Sequence, residues 1–69
     1  MRSEIATYRE REGLSQGELA EAVGVSRQTI NAIERDRYDP SLKLAFKLAA
    51  YFDLQIEDLF EPNIEPVGT

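Results

Sequence analysis

Leu14-Ser-Gln-Gly-Glu-Leu-Ala-Glu-Ala-Val-Gly-Val-Ser-Arg-Gln-Thr-Ile-Asn-Ala-Ile-Glu34 is the stretch whose reading decides the fold. It predicts two short helices joined by a tight turn. Ser15 followed three residues later by Glu18 matches a capping box, in which a hydroxyl and a carboxylate satisfy the free backbone N–H groups of a first helical turn. Ser26 is placed to cap the second helix in the same way. Gly24 stands where the first helix must stop, and glycine takes up the left-handed conformation there at little steric cost. Helices joined this closely cross steeply and leave the outer face of the second one open.

Working outward, a first helix is expected over about 3–12, capped by Ser3, with Ile5 and Tyr8 inward and Gly13 ending it. The quoted pair reads as helices over about 16–23 (Leu19, Ala20 and Val23 inward) and about 27–35 (Ile30 and Ile33 inward). Asp36–Pro40 is a loop, since Pro40 disfavours helix at the residue before it. Ser41 caps a fourth helix over about 42–52, with Ala45, Leu48, Ala49 and Phe52 at helical period. A short fifth helix over about 56–60 carries Ile56, Leu59 and Phe60. Residues 1–61 form one all-α domain, and the Pro- and Gly-containing tail 62–69 is expected to be extended or frayed. No strand is expected, beyond a short edge pairing of Ile64 and Val67 between two copies.

Composition removes several classes of function. With no cysteine and no histidine, the chain has no disulfide, no Cys/His zinc site and no Cys- or His-based catalysis. Its carboxylates stand with no glycine-rich phosphate loop, and its serines are engaged as caps. No catalytic residue, metal site, cofactor or small-molecule effector is therefore expected. No apolar run approaches the ~20 residues that span a bilayer, so a cytoplasmic protein with no membrane partner is expected. The net charge of −5 runs against a nucleic-acid partner until its distribution is considered. Residues 1–25 sum to −2, residues 26–47 to +2 and residues 48–69 to −5. The positive segment begins at the second helix of the quoted pair.

That helix can be divided by angle. At ~100° per residue, Ile30 and Ile33 define the inward face. Gln28 and Arg35 fall near the centre of the opposite face, Asn31 and Ala32 lie to either side of it, and Arg27 sits on the flank in the first turn. These side chains suit base edges: Arg reaches guanine O6 and N7, Gln and Asn pair with adenine, and a small Ala admits a thymine methyl. A merely solvated polar face is the competing reading, and the absence of a carboxylate at its centre weighs against it. Gln16, first in the preceding helix, is placed to meet a phosphate or to serve as an ordinary polar first-turn residue. Arg37 and Tyr38 are placed to grip a backbone, although Tyr38 is equally suited to packing on Pro40. Lys43 reads as a free surface lysine.

The pattern Leu14-Ser-Gln-x-Glu-Leu-Ala-x-x-x-Gly-Val-Ser-x-x-x-Ile-x-x-Ile-Glu34, with Tyr38-Asp-Pro-Ser-Leu42, Ala45, Leu48, Ala49 and Ile56-Glu-Asp-Leu-Phe60, resembles the Cro and lambda-repressor type of helix-turn-helix, the XRE family, across about residues 4–61. The resemblance implies a five-helix lambda-repressor-like DNA-binding domain acting as a transcriptional regulator. It assigns base reading to Arg27, Gln28, Asn31 and Ala32 and backbone contact to Gln16 and Thr29, and we group Ser26, Arg35, Arg37 and Tyr38 with the backbone contacts. It further implies that Arg9 and Glu34 bridge the first and third helices. Asp36 departs from the glycine usual at the end of the third helix, Gly17 replaces a better helix former, and Ala6 and Glu12 stand where relatives often carry basic groups. One recognition helix reads few base pairs, so a homodimer on a palindromic operator in double-stranded DNA, and repression, are expected. Leu59, Phe60 and Ile64 are the expected dimer contacts; Leu54 and Ile56 are expected rather to close the core. The alternative is a protein-interaction module of the same fold, of the antitoxin or anti-repressor type.

Overall fold

A computed structural model describes residues 1–61 of the 69. The element order is β1 (Arg2–Ser3), α1 (Ile5–Arg11), α2 (Gln16–Val23), α3 (Arg27–Glu34), α4 (Leu42–Phe52), α5 (Ile56–Leu59) and β2 (Phe60–Glu61). The five helices wrap one core, in which Ile5, Leu19, Ile30, Ile33, Leu48 and Leu59 are fully buried. Every helix except α5 contributes one or more of the others in that core, and α5 closes it with Leu59.

The helix starts follow their caps. Ser15 Oγ accepts from Glu18 N at 3.0 Å while the Glu18 carboxylate accepts from Ser15 N at 2.8 Å. Ser26 Oγ accepts from Thr29 N at 3.2 Å, and Ser41 Oγ from Leu44 N at 3.1 Å. The helix ends share one device. After α2, Val25 N reaches back to the Ala20 carbonyl at 2.9 Å and Gly24 N to that of Glu21 at 3.3 Å, with Gly24 left-handed at φ 78°. This paired 6→1 and 5→2 arrangement is a Schellman motif. It recurs after α1 at Gly13, after α3 at Asp36 and after α4 at Asp53. The two aspartates adopt φ 59° and 57°, a region that costs a residue bearing a Cβ about 1–2 kcal/mol. The absence of glycine at Asp36 therefore leaves the stop in place, and α3 ends at Glu34, one residue before the expected limit.

Three expectations are corrected. Ser3 is not the N-cap residue of α1: that position is Glu4, whose side chain makes no cap, and Ser3 lies in β1, from where its Oγ accepts from Ile5 N at 3.4 Å. The two short strands pair antiparallel, Arg2 with Glu61 and Ser3 with Phe60, and Glu4 N extends the pairing to the Leu59 carbonyl at 2.8 Å. A strand is thus present where none was expected, and it shortens both end helices, because Phe60 leaves α5 to join β2. Ser3 N also donates to the Asp36 carboxylate at 3.1 Å, which ties β1 to the end of α3. Finally, Leu59 and Phe60 are 0% and 5% exposed, so they are interior residues of the monomer and not a free dimer surface. Their apolar area closes the core between the strand pair and α4. Leu54 and Ile56 are partly buried against the same core, as expected. Ile64, Val67 and the tail 62–69 lie outside the described residues.

Candidate nucleic-acid interface

The helix pair α2–α3 builds one polar face from side chains that are far apart in the sequence. Its centre is Gln16, at the first turn of α2. The Gln16 amide nitrogen donates to Glu34 Oε1 at 2.9 Å. Its amide oxygen accepts from Arg27 Nη1 at 3.2 Å and, more weakly, from Asn31 Nδ2 at 3.5 Å. Two of the four expected base readers are therefore tethered to the residue expected to meet the backbone. Gln28 is exposed and Ala32 is half-buried.

Glu34 is held from the other side. Arg9 of α1 donates to it through Nε at 2.7 Å and Nη2 at 3.2 Å, and through Nη1 to the Leu14 carbonyl at 2.7 Å. The two side chains are only 13% and 8% exposed. The hydrogen bond to Glu34 raises the Arg9 pKa above its ordinary value; burial opposes this, and the charges of Glu34 and Glu10 reinforce it. Arg9 is thus a permanent cation, and the bridge between α1 and α3 has the geometry the resemblance implies. Its consequence for the face is electrostatic. Glu34 is the one carboxylate on α3, and the bridge turns it inward to a guanidinium. The outward row retains donors and amides.

The remaining expected contacts form a rim. Ser26 and Thr29 hydroxyls share a hydrogen bond at 3.0 Å at the start of α3, and Ser26 Oγ is also spent on its cap. Arg35, Arg37 and Tyr38 are exposed at the far end of α3 and in the loop beyond it. Tyr38 and Thr29 line one shallow groove. The link from Gln16 to Glu34 was not foreseen; the spacing of Gln16 and Glu34 carries no local signal, since only the docking of α2 on α3 brings them together. Among the described residues no group of three or more acidic, histidine or cysteine side chains is arranged to hold a metal. No helix among them is long and apolar enough to cross a membrane.

A capped helix, a left-handed glycine turn and a second helix with an open donor face are the elements of a helix-turn-helix, and the family model described as helix-turn-helix matches residues 5–59. The chain belongs to the Cro and lambda-repressor type of helix-turn-helix family. Among the relatives of this helix-turn-helix protein, an HTH-type transcriptional regulator of Methanocaldococcus jannaschii is 55% identical over 60 residues, covering 87% of this chain and 91% of its own. Among solved structures, the restriction-modification controller protein C.AhdI of Aeromonas hydrophila superposes with a TM-score of 0.74 at 34% identity, covering 81% of this chain and 85% of its own. The N-terminal DNA-binding domain of SinR from Bacillus subtilis gives a TM-score of 0.73 at 34% identity, with coverages of 88% and 90%. SinR has also been crystallised in complex with DNA. The family and these relatives are transcriptional regulators with a DNA-binding fold, and the five-helix lambda-repressor-like architecture is shared with them.

Proposed function

We propose that this helix-turn-helix regulator is a cytoplasmic repressor that reads a palindromic operator in double-stranded DNA as a homodimer, with α3 seated in the major groove. The observation that carries the reading is the outward row of α3: Arg27, Gln28 and Asn31 lie on a face from which the helix's own carboxylate has been withdrawn into the bridge with Arg9. A wet polar helix face needs no such withdrawal. A face that approaches phosphate does, because a carboxylate there repels the backbone and cannot accept from most base edges. The complex of SinR with DNA supports the same partner.

In this reading Arg27, Gln28 and Asn31 pair with base edges and Ala32 admits a thymine methyl. Gln16, Ser26, Thr29, Arg35, Arg37 and Tyr38 fix the docking depth through the sugar-phosphate ridges. A two-fold dimer places its half-sites about 34–36 Å apart on one face of the duplex. Occupancy of the operator excludes polymerase.

Selection of bound sequences from a random DNA pool tests this directly. The expected result is an inverted repeat with half-sites one helical turn apart. Replacing Arg27 and Gln28 together by Ala removes two base contacts, each about 1–3 kcal/mol of discrimination, so the preference collapses toward non-specific binding. Helix content measured by circular dichroism stays at the wild-type level. A selected motif that is unchanged in this double variant overturns the assignment of α3 as reader.

A further inference from the structure

The first residues of the chain reach the loop that follows α3. In the antiparallel pairing of β1 with β2, Glu4 N donates to the Leu59 carbonyl at 2.8 Å. Bonded and non-bonded pairs alternate along such a ladder, so Ser3, opposite Phe60, has its N–H turned away from β2. That N–H donates to the Asp36 carboxylate at 3.1 Å, across 33 residues of sequence. At the other end of the loop, Met1 packs against the core in a groove that it shares with Pro40 and Leu42, and its ammonium lies 3.3 Å from Asp39 Oδ1. Between these attachments stand Arg37 and Tyr38, both exposed.

We infer that Asp36 is a positioning residue: held by β1, its carboxylate fixes the course of the 36–40 loop and so presents Arg37 and Tyr38 to the sugar-phosphate ridge. The inference rests on the operator reading, in which those two side chains touch the DNA backbone. It adds to that reading a residue that acts through its neighbours and a strand that lies outside the α2–α3 face. Backbone strain supports it. Asp36 sits at φ 59°, where glycine is at ease and a residue with a Cβ is not. Glycine in that place ends a helix equally well but brings no acceptor for Ser3 N. A strained residue persists where the surrounding structure holds it, and the contact that holds the Asp36 side chain is the N–H of Ser3.

Charge gives the inference a sign of its own. Asp36 is a carboxylate next to Arg37, so on charge alone its removal strengthens binding to phosphate. Only a positioning role makes its removal weaken binding. A loop cut free of β1 has to be ordered again when it meets DNA, and ordering two such side chains costs about tenfold in affinity. Base preference is untouched, because backbone contacts set register and carry no sequence information.

Fluorescence anisotropy on the selected operator, with urea unfolding followed by circular dichroism, tests the inference on the full 69-residue chain. Asp36→Gly is expected to bind about tenfold more weakly while its urea midpoint stays at or above the wild-type value. Asp36→Asn keeps an acceptor and tolerates the left-handed φ, so it binds at least as tightly as the wild type. Ser3→Pro removes the donor from the far end without breaking a ladder bond, and is expected to weaken binding to the same extent. Ser3→Ala keeps the N–H and does not. In a chain that already carries Arg37→Ala and Tyr38→Ala, Asp36→Gly costs nothing further. An Asp36→Gly variant that binds as tightly as the wild type overturns the inference, and so does an Asp36→Asn variant that binds as weakly as Asp36→Gly. NMR order parameters of the Arg37 and Tyr38 amides in the DNA-free chain give a second readout. They are expected to fall in Asp36→Gly and Ser3→Pro and to hold in Asp36→Asn; values unchanged in all three overturn the inference whatever the protein binds. The operator reading fails by a different observation, a wild type that selects no sequence from the random pool.

Discussion

Replacing Arg9 by Met and Glu34 by Leu together separates the structural role of their bridge from its role in the recognition face. The single change Glu34→Gln leaves the Arg9 guanidinium 13% exposed with no carboxylate in contact except Glu10 at 3.8 Å. Breaking a buried pair from one side costs about 3–5 kcal/mol. Arg9 retains its 2.7 Å bond to the Leu14 carbonyl, so the loss belongs at the lower end, about 3 kcal/mol. A chain of 69 residues has on the order of 3–10 kcal/mol to lose, so the single variant forfeits a large part of its stability. The double variant removes both charges and fills the volume with apolar groups, an exchange that is often neutral or stabilising. Its urea midpoint is expected to return to the wild-type value or above. Its operator affinity is not. Gln16 Nε2 loses its 2.9 Å acceptor, and with it the orientation that places the amide oxygen toward Arg27 and Asn31. One charge-assisted hydrogen bond is worth about 1.5–3 kcal/mol, so affinity is expected to fall about tenfold or more at equal folded fraction. Fluorescence anisotropy on labelled operator, with stability followed by circular dichroism because the chain has no tryptophan, reads both quantities. A double variant that binds as the wild type does refutes the reasoning: the network then holds the fold together and orders nothing for DNA.

Asp53→Gly relieves a left-handed aspartate at the end of α4 and is expected to stabilise by about 1 kcal/mol in urea denaturation, whereas Asp36→Gly gains less because Asp36 also accepts from Ser3 N at 3.1 Å. Gly17→Ala in the first turn of α2 meets only Ser15 Oγ at 3.9 Å, an ordinary contact, and should add up to about 1 kcal/mol by the same measurement. The Glu18 carboxyl is held below its usual range by the Ser15 backbone N–H first and by the Ser15 hydroxyl second. A depressed carboxyl stabilises the fold above its unfolded pKa and ceases to do so as pH falls through the folded one, so thermal melts in acid, below about pH 4, should lose this contribution in the wild type and show a flatter acid limb in Glu18→Gln.

The parts of the fold that were legible in the sequence are those with local causes. The limits of α2 and α4 follow from Ser15, Gly24 and Ser41, each acting on backbone within a few residues. The stop after α3 was less legible, because Asp36 takes a conformation that its residue type only tolerates. The strand pair was not legible at all: each strand is two residues long, too short for any period, and its partners are Arg2 and Glu61. Recruiting Phe60 into that pair turned Leu59 and Phe60 inward, which residue type alone does not reveal, since an apolar side chain near a chain end suits a core and an interface equally. At the recognition face, angular position identified the outward residues, while the tethering of Arg27 and Asn31 to Gln16 depended on how α2 docks on α3.

The acidity of the chain is compatible with a DNA partner once the fold is taken into account. A net charge of −5 governs approach from a distance; binding is governed by the charges within a screening length of the phosphates, about 8 Å at physiological ionic strength. The chain separates these two scales. Its positive segment supplies α3 and the loop after it, and its acidic segment supplies the end of α4, α5 and β2. In the fold α3 packs on α2 and α1, and α5 packs on α4 and β2. The single carboxylate that the sequence does place on α3 is neutralised by a cation from α1. A fold that left Glu34 facing outward would put a negative charge one turn from Asn31, on the surface that carries Gln28 and Asn31. The Arg9–Glu34 bridge therefore neutralises the one carboxylate of α3 as well as joining α1 to α3.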